Sequence, residues 1–293
     1  MLIRTKITNI GDPFILRRGS RYYMYATSAP DGFLCFSSDD LLDWKEIGYC
    51  YRGSAWGENC FWAPEVYEYR GSYYLLYTAR RRADHSLRIG LAVAQSPEGP
   101  FRDLKEGPLF DPGYACIDAT LLFDEGAVYL YYVRDCSENI VNGVHISEIY
   151  GVELTDDLLH FKGTPVRLAA PELPWETSLD PHWQWNEGPA VLKIGAVYYL
   201  NYSVNCFSSP DYSVGCATAL HPLGPFVKYD EPVLRRAEGD FSGPGHNSFF
   251  TDRKGELYTA FHIHTDPAHP SGDRRACIAP AGVDGTGKFT IRL

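Results

Sequence analysis

Residues 185–203 read WNEGPAVLKIGAVYYLNYS, and this stretch predicts how the rest of the chain folds. An apolar run, a Gly turn and an aromatic run follow one another in it, which is the pattern of a β-hairpin. The triplet Glu187-Gly188-Pro189 stands immediately before that hairpin. The same layout occurs five times, so the sequence indicates five repeats of one unit.

In every copy an ionisable residue precedes a matched tyrosine by nine to twelve positions. The five pairs are Asp12/Tyr23, Glu65/Tyr74, Asp118/Tyr129, Glu187/Tyr199 and His246/Tyr258. Self-similarity of this kind, with three or four short strands in each copy, is typical of a β-propeller whose blades are single antiparallel sheets. A β-sandwich of about 15 strands is the main alternative, but it does not explain the shared register.

We therefore expect an all-β fold, a five-bladed β-propeller with blades of mostly four antiparallel strands, formed by residues 1–293 as a single domain. The innermost strand of each blade runs along the central axis, so the five ionisable residues should form a ring at one mouth of the channel. A short N-terminal strand within residues 2–10 should complete the last blade and close the ring. Most tyrosines on the second strands should pack between blades.

The composition narrows the class of partner. The chain has 293 residues and a net charge of −10, which disfavours nucleic acids and anionic membranes, because both reward clusters of Lys and Arg. No stretch approaches the roughly 20 apolar residues of a membrane helix and no signal peptide is evident, so we expect a cytoplasmic protein. The eight cysteines should be buried free thiols rather than disulfides or zinc ligands, and the His262-x-His264 pair lacks a third zinc ligand. The sequence does not indicate an oligomeric state.

The predicted ring of carboxylates and one histidine points to a specific chemistry. Unpaired like charges in one funnel repel and raise some of the pKa values, so such a cluster indicates a function. Glycoside hydrolysis uses two carboxyl groups across a small cavity, one as the acid for the leaving oxygen and one as the base for water. A third carboxylate beside the acid keeps it protonated at neutral pH. A neutral oligosaccharide is therefore the expected partner.

Five short motifs, each followed by its hairpin, carry a family resemblance that covers nearly the whole chain. They are Gly11-Asp12-Pro13, Phe61-Trp62-Ala63-Pro64-Glu65, Ile117-Asp118-Ala119, Glu187-Gly188-Pro189 and Gly243-Pro244-Gly245-His246-Asn247. Together they resemble the five-bladed β-propeller glycoside hydrolases of family 43, which include arabinofuranosidases, β-xylosidases and arabinanases.

The resemblance implies a role for each matching position. Asp12 would be the general base that activates water, and Glu187 the general acid that protonates the glycosidic oxygen. Asp118 would be the modulator that raises the pKa of Glu187. Arg274 matches an arginine that contacts the sugar in the first subsite, and Trp62 would line the same pocket. The resemblance implies no cofactor that catalysis requires.

Four further residues are candidates for binding an ion or the substrate. His246 matches a histidine that faces a calcium ion or water at the channel centre, so a structural calcium is implied, held through water because calcium prefers oxygen ligands. Phe33 and Phe207 lie near predicted strand-to-loop junctions and are candidates for stacking on a sugar, with structural packing as the alternative. Glu65 is a candidate for substrate binding or for a hydrogen-bonded support of the pocket.

The chain also departs from the family pattern. Ala119 follows the modulator Asp118, where proline is usual, which should loosen the turn without removing the carboxylate. Trp185 and the run His182-Trp183-Gln184 precede Asn186 and Glu187, so the leaving-group side of the pocket is expected to be particular to this protein. These differences concern the choice of substrate rather than the reaction.

The expected activity is that of an exo-acting glycosidase that removes terminal arabinofuranosyl or xylosyl residues from hemicellulose-derived oligosaccharides. Inversion at the anomeric carbon would require the carboxyl groups of Asp12 and Glu187 to lie about 6.5–9.5 Å apart, which leaves room for a water molecule. Two alternatives stay open. One is an endo-arabinanase, if the loops leave an open groove, and the other is a non-catalytic carbohydrate-binding propeller.

Overall fold

Short antiparallel strands follow one another along nearly the whole chain. The structure is a computed structural model that describes residues 1–293. The first strand, β1 (Ile3–Arg4), belongs to the last blade. Blade one consists of β2 (Gly11–Arg18), β3 (Arg21–Thr27), β4 (Gly32–Ser38) and β5 (Lys45–Arg52). Blade two consists of β6 (Gly57–Tyr69), β7 (Ser72–Arg81), β8 (Leu87–Ala94) and β9 (Arg102–Asp103).

The remaining three blades follow the same order with small additions. Blade three contains β10 (Cys116–Asp124), β11 (Ala127–Arg134), the short β12 (Ile140–Val141), β13 (Val144–Leu154) and β14 (Val166–Ala169). A one-turn helix, α1 (Pro174–Thr177), precedes blade four, which contains β15 (Trp183–Ile194), β16 (Val197–Val204), β17 (Ser213–Ala219) and β18 (Val227–Lys228). Blade five contains β19 (Gly245–Thr251), β20 (Leu257–His264), β21 (Arg274–Val283) and β22 (Phe289–Ile291).

The blades form a closed ring. Their innermost strands contact one another in a cycle that runs from β2 to β6, β10, β15 and β19 and back to β2. The fold is therefore the five-bladed β-propeller that the repeat predicted. The N-terminal strand pairs with β21, with Ile3 opposite Ile278 and Arg4 opposite Cys277, so the predicted closure is confirmed. β22 pairs with the other end of β21, and both ends of the chain thus complete blade five.

Each innermost strand contains a β-bulge at the same point of the repeat. The first bulged residue has a left-handed backbone, with φ between 46° and 55°. We call these residues the bulge positions; they are Asp12, Ala63, Asp118, Gly188 and His246. Bulges redirect side chains and are frequent next to active sites. A left-handed backbone is costly for most residues and persists where the surrounding structure fixes it.

The apolar core lies between neighbouring blades. Tyr25 and Tyr77, from the second strands of blades one and two, are fully buried in one cluster, and Tyr202 of blade four is fully buried in another. The predicted packing of second-strand tyrosines between blades is therefore confirmed. All eight cysteines are free thiols; six are buried as predicted, whereas Cys60 and Cys206 are half-buried. None of the helical structure has the length and hydrophobicity needed to cross a membrane.

Candidate active site

A pocket of about 240 Å³ opens where the bulge positions converge. All five blades contribute to its lining, which consists of Asp12, Thr27, Trp62, Ile117, Asp118, Asp135, Trp185, Glu187, Phe207, Tyr212, His246 and Arg274. The three carboxylates predicted to be catalytic stand in it together. Four of the predicted binding residues, Trp62, Phe207, His246 and Arg274, also line it.

Asp12 is the most heavily contacted carboxylate of the pocket. Its Oδ1 accepts a hydrogen bond from Nη1 of Arg274 at 3.1 Å and lies 3.3 Å from Nδ1 of His246. Its Oδ2 accepts a hydrogen bond from the hydroxyl of Thr27 at 2.5 Å. Burial alone would raise the pKa of Asp12, but the charges of His246 and Arg274 and the Thr27 hydroxyl hold that pKa below its usual range. Asp12 is therefore a carboxylate at neutral pH.

The backbone N–H of each bulge position needs an acceptor, and four of the five find it on the second strand of the preceding blade. These bonds join Ala63 to Thr27 (2.9 Å), Asp118 to Thr78 (3.1 Å), His246 to Ser203 (2.7 Å) and Asp12 to His262 (3.2 Å). Gly188 is the exception, because the equivalent residue of blade three is Val133, which has no acceptor. The N–H of Gly188 donates instead to Oδ2 of Asp118, at 3.0 Å.

This exception places Asp118 against the backbone that directly follows Glu187. Burial raises the pKa of Glu187 well above its usual range, and the charge of Asp118 adds to the shift. Burial also raises the pKa of Asp118, and the hydrogen bond from Gly188 opposes that shift. The two carboxyl groups are close enough to affect each other, so they hold a proton to higher pH than isolated carboxyl groups do. Such a pair can supply a proton at neutral pH.

Tyr212 and His262 orient Glu187 and Asp12. The hydroxyl of Tyr212 donates a hydrogen bond to Oε1 of Glu187 at 2.9 Å. The same phenol ring is parallel to the imidazole of His262, with centroids 5.4 Å apart. Burial lowers the pKa of His262 well below its usual range. His262 is therefore neutral at pH 7, as it must be for Nδ1 to accept the N–H of Asp12.

Arg274 is held between Asp12 and an aromatic ring. Its guanidinium carbon lies 4.9 Å from the centroid of Phe207, over the ring. A Cβ at position 11 would come within 2.1 Å of the guanidinium, so Gly11 is needed for this placement. The loop that carries Phe207 is tied down by His264, whose Nε2 lies 2.9 Å from the Phe207 carbonyl. Arg274 thus presents a fixed charge and hydrogen-bond donors beside Asp12.

Two predicted binding residues lie outside the pocket. Phe33 is 0% exposed and packs against Tyr51, Phe61 and Tyr77, so it cannot stack on a sugar. Strand β4 directs its ring into the space between blades one and two. Glu65 stands two residues past the bulge position Ala63 and faces a separate cavity instead.

The cavity around Glu65 is narrow, about 70 Å³, and lies on the axis of the ring. It is lined by one residue from the same position of every innermost strand, namely Phe14, Glu65, Thr120, Ala190 and Ser248, together with a few neighbours. The hydroxyl of Tyr67 donates a hydrogen bond to Glu65 and also contacts Thr120 at 3.0 Å. Glu65 is therefore a buried, hydrogen-bonded residue of the axis, and its predicted contact with substrate is wrong.

Glu65 should make stability depend on pH. Burial raises its pKa from 4.5 to about 8. As the pH rises through this interval, the unfolded chain releases the proton first, so the group progressively destabilises the fold. We expect the Glu65→Gln variant to gain stability over the wild type between pH 5 and 8, by about 1.4 kcal/mol per pH unit. Urea unfolding at several pH values measures this difference.

The exposed Glu68 of the same strand provides a matched control for that measurement. The Glu68→Gln variant should differ from the wild type by the same small amount at every pH. A flat difference for Glu65→Gln as well would show that Glu65 ionises normally in the folded protein.

The side chains around His246 do not form a calcium site. Calcium takes six to eight oxygen ligands. The nearest carboxylate to His246 is Asp12, which Arg274 and Thr27 already engage. No group of three His, Cys, Asp or Glu side chains is placed to hold a metal ion. An ion held mainly through water, as the resemblance implies, stays a prediction, and no catalytic step below depends on it.

Sequence reasoning missed three residues that line the pocket, which are Thr27, Asp135 and Tyr212, and the fully buried His262 that contacts Asp12. Thr27 and His262 occupy the same position of the repeat, opposite the residue that precedes the bulge. This shared position in the repeat is the sequence signal that could have identified both residues. Asp135 follows β11 and Tyr212 precedes β17, and neither belongs to a repeated motif. Only the folded ring brings these two to the pocket.

Comparisons with known proteins agree with this geometry. The profile of the family described as Glycosyl hydrolases family 43 matches residues 6–288. A solved structure described as a thermostable family-43 glycoside hydrolase is 46% identical, with a TM-score of 0.94 over 99% of this chain and 95% of that one. A β-D-galactofuranosidase of Aspergillus niger is 29% identical over 86% of this chain and 73% of its own length. An extracellular exo-α-(1→5)-L-arabinofuranosidase of Streptomyces avermitilis is 24% identical over 96% of this chain and 61% of its own length.

Proposed function

The chain belongs to family 43 of the glycosyl hydrolases, and from this premise we propose that it releases terminal arabinofuranosyl or xylosyl residues from oligosaccharides, with inversion at the anomeric carbon. One observation carries the proposal. Asp12, Asp118 and Glu187 meet in a pocket of about 240 Å³, where burial and the charge of Asp118 raise the pKa of Glu187. A compact pocket favours exo action, because it accepts the end of a sugar chain. The name of the Streptomyces avermitilis relative, an arabinofuranosidase, favours a pentose, and that of the Aspergillus niger relative makes a galactofuranoside the substrate to compare with it.

In the proposed reaction each of the three carboxyl groups has one role. The carboxylate of Asp12 takes a proton from water, and the water oxygen attacks the anomeric carbon. Glu187 gives its proton to the glycosidic oxygen as the bond to the leaving sugar breaks. Arg274 binds the sugar and holds Asp12 in place. Because the water enters opposite the leaving group, the configuration of the anomeric carbon is inverted.

Asp118 should set the alkaline limit of activity. The acid works in its protonated form, so activity falls as the pH rises through the pKa of Glu187. In the Asp118→Asn variant the neighbouring negative charge is gone and that pKa falls. We expect the alkaline limb of kcat/KM to move to lower pH. The new amide oxygen can still accept the N–H of Gly188, and asparagine tolerates the left-handed backbone at this position.

Asp135 provides the matched comparison for this prediction. It is a second carboxylate of the pocket that raises the pKa of Glu187, but less than Asp118 does. The Asp135→Asn variant should therefore show a smaller shift in the same direction. An alkaline limb that stays in place in Asp118→Asn, or moves to higher pH, would rule out the modulator role.

Release of p-nitrophenol tests the proposed activity. The α-L-arabinofuranoside, the β-D-xyloside and the β-D-galactofuranoside should be compared, each with the wild type and with Glu187→Gln. We expect one of the two pentosides to be the best substrate, and proton NMR of the first product to show the inverted anomer. A retained anomer would contradict the single displacement. Release of internal fragments from debranched arabinan would favour an endo-arabinanase instead.

A further inference from the structure

A row of aromatic side chains leads away from the pocket on the strand that carries Glu187. Trp183, Trp185 and Glu187 are alternate residues of β15, so their side chains share one face of the strand. Trp185 lines the pocket, whereas Trp183 is 38% exposed. The two indole rings are nearly parallel, at 19°, with centroids 6.3 Å apart. The row therefore begins at the acid and ends in solvent.

The long excursion of blade three fixes the outer end of this row. The start of β13 pairs in parallel with the start of β15, which places His145 opposite Trp183 and Ser147 opposite Trp185. The imidazole of His145 stacks on Trp183 with centroids 3.8 Å apart and an angle of 10°. Its Nδ1 lies 2.8 Å from the carbonyl oxygen of Cys136, so it donates a hydrogen bond that holds the ring. An exposed indole held in this way is already ordered before a ligand binds.

Resting on the proposed function, we propose that Trp185 and Trp183 bind the first and second sugars on the leaving-group side of the cleaved bond. Glu187 protonates the oxygen that leads to the departing sugar, so the rest of the substrate must leave the pocket beside Glu187. The row lies on that side. The faces of sugar rings present C–H groups, which pack on the apolar faces of indoles. The substrate is therefore a linear oligosaccharide of at least three sugars.

Chain-length dependence tests this assignment. β-1,4-xylo-oligosaccharides and α-1,5-arabino-oligosaccharides of two, three and four sugars are the probes. For the wild type we expect kcat/KM to rise from the disaccharide to the trisaccharide and then to level off. In Trp183→Ala the ratio of trisaccharide to disaccharide kcat/KM should fall about tenfold, the effect of losing one well-packed ring. In Trp185→Ala the values for both substrates should fall.

Two further variants separate binding from folding. Trp183→Phe keeps an aromatic face and should retain most of the trisaccharide preference. Tyr49→Ala removes an aromatic side chain of nearly equal exposure, 39% against 38% for Trp183, from the edge strand of blade one and should leave the ratio unchanged. If the ratio in Trp183→Ala equals that of the wild type, the row does not bind sugar and serves only to pack the excursion.

A binding measurement keeps this inference separate from the proposed function. Titration calorimetry of the same sugars with the Glu187→Gln variant reports affinity without turnover. If the trisaccharide binds more tightly than the disaccharide and this difference is lost on adding Trp183→Ala, the row binds sugar, even if the wild type cleaves neither series. If the wild type cleaves both series without any dependence on chain length, the assignment of sugar binding to the row is overturned and the proposed function stands. Absence of both cleavage and length-dependent binding would overturn both.

Discussion

The Glu187→Gln variant is expected to lose about 10²- to 10⁴-fold in kcat, the usual contribution of a positioned general acid. Glutamine has nearly the same shape as glutamic acid, and its amide oxygen can still accept the hydrogen bond from Tyr212. The fold should therefore survive, and the melting temperature should stay close to that of the wild type. What the variant lacks is the proton that the leaving oxygen needs.

The loss should depend on the leaving group. p-Nitrophenolate leaves readily without protonation, whereas the alkoxide of a sugar does not. We therefore expect a larger loss on oligosaccharides than on p-nitrophenyl glycosides, and an alkaline limb that disappears from the pH profile of the variant. Equal losses on both substrate types, with the alkaline limb retained, would assign the acid to another residue. Asp135 would then be the first candidate, since it lines the same pocket.

The Asp12→Asn variant should lose activity to a similar extent, about 10²- to 10⁴-fold, but by a different route. Asparagine suits the left-handed backbone at this position, where φ is 55°. The variant should therefore fold, although Arg274 loses its ionic partner and some stability with it. The amide cannot take a proton from water, so the loss should be the same for good and poor leaving groups. This independence distinguishes the base from the acid.

Azide provides a direct test of the role of Asp12. Azide is nucleophilic without losing a proton, so it should restore part of the activity of Asp12→Asn and form a glycosyl azide of inverted configuration. It should not restore the hydrolysis of oligosaccharides by Glu187→Gln, which lacks the acid. A glycosyl azide of retained configuration, or no rescue in a folded Asp12→Asn variant, would contradict the assignment of the base.

The sequence was sufficient for the fold because the repeat is regular. Counting back eleven residues from Tyr23, Tyr74, Tyr129 and Tyr199 reaches Asp12, Ala63, Asp118 and Gly188, which are bulge positions in the structure. Glu65 stands only nine residues before its tyrosine, and this shorter spacing marks it as a residue of the axis. The same count reaches Gly188 rather than Glu187 in blade four and Asn247 rather than His246 in blade five, so spacing alone does not select the residues that line the pocket.

Other features of the site could not be read from spacing. Both faces of a blade pack against neighbouring blades, so the alternation of apolar residues does not show which aromatic ring reaches the pocket. Phe33 and Phe207 both lie near a junction of strand and loop, yet Phe33 is fully buried, whereas Phe207 is 42% exposed and contacts Arg274. Tyr212 and Asp135 reach the pocket through loops whose course the repeat does not determine.

Val133 shows how one residue can make two neighbouring blades of a repeated fold chemically different. In four blades a side chain accepts the N–H of the next bulge position; these acceptors are Thr27, Thr78, Ser203 and His262. Blade three has Val133 at this position, and its hydrocarbon side chain cannot accept a hydrogen bond. That one omission turns Asp118 toward its neighbour and makes two adjoining blades chemically unequal. A carboxylate therefore accepts a bulge N–H at one position of the ring alone, beside Glu187, so a single hydrocarbon side chain is enough to make one side of a fivefold repeat acidic.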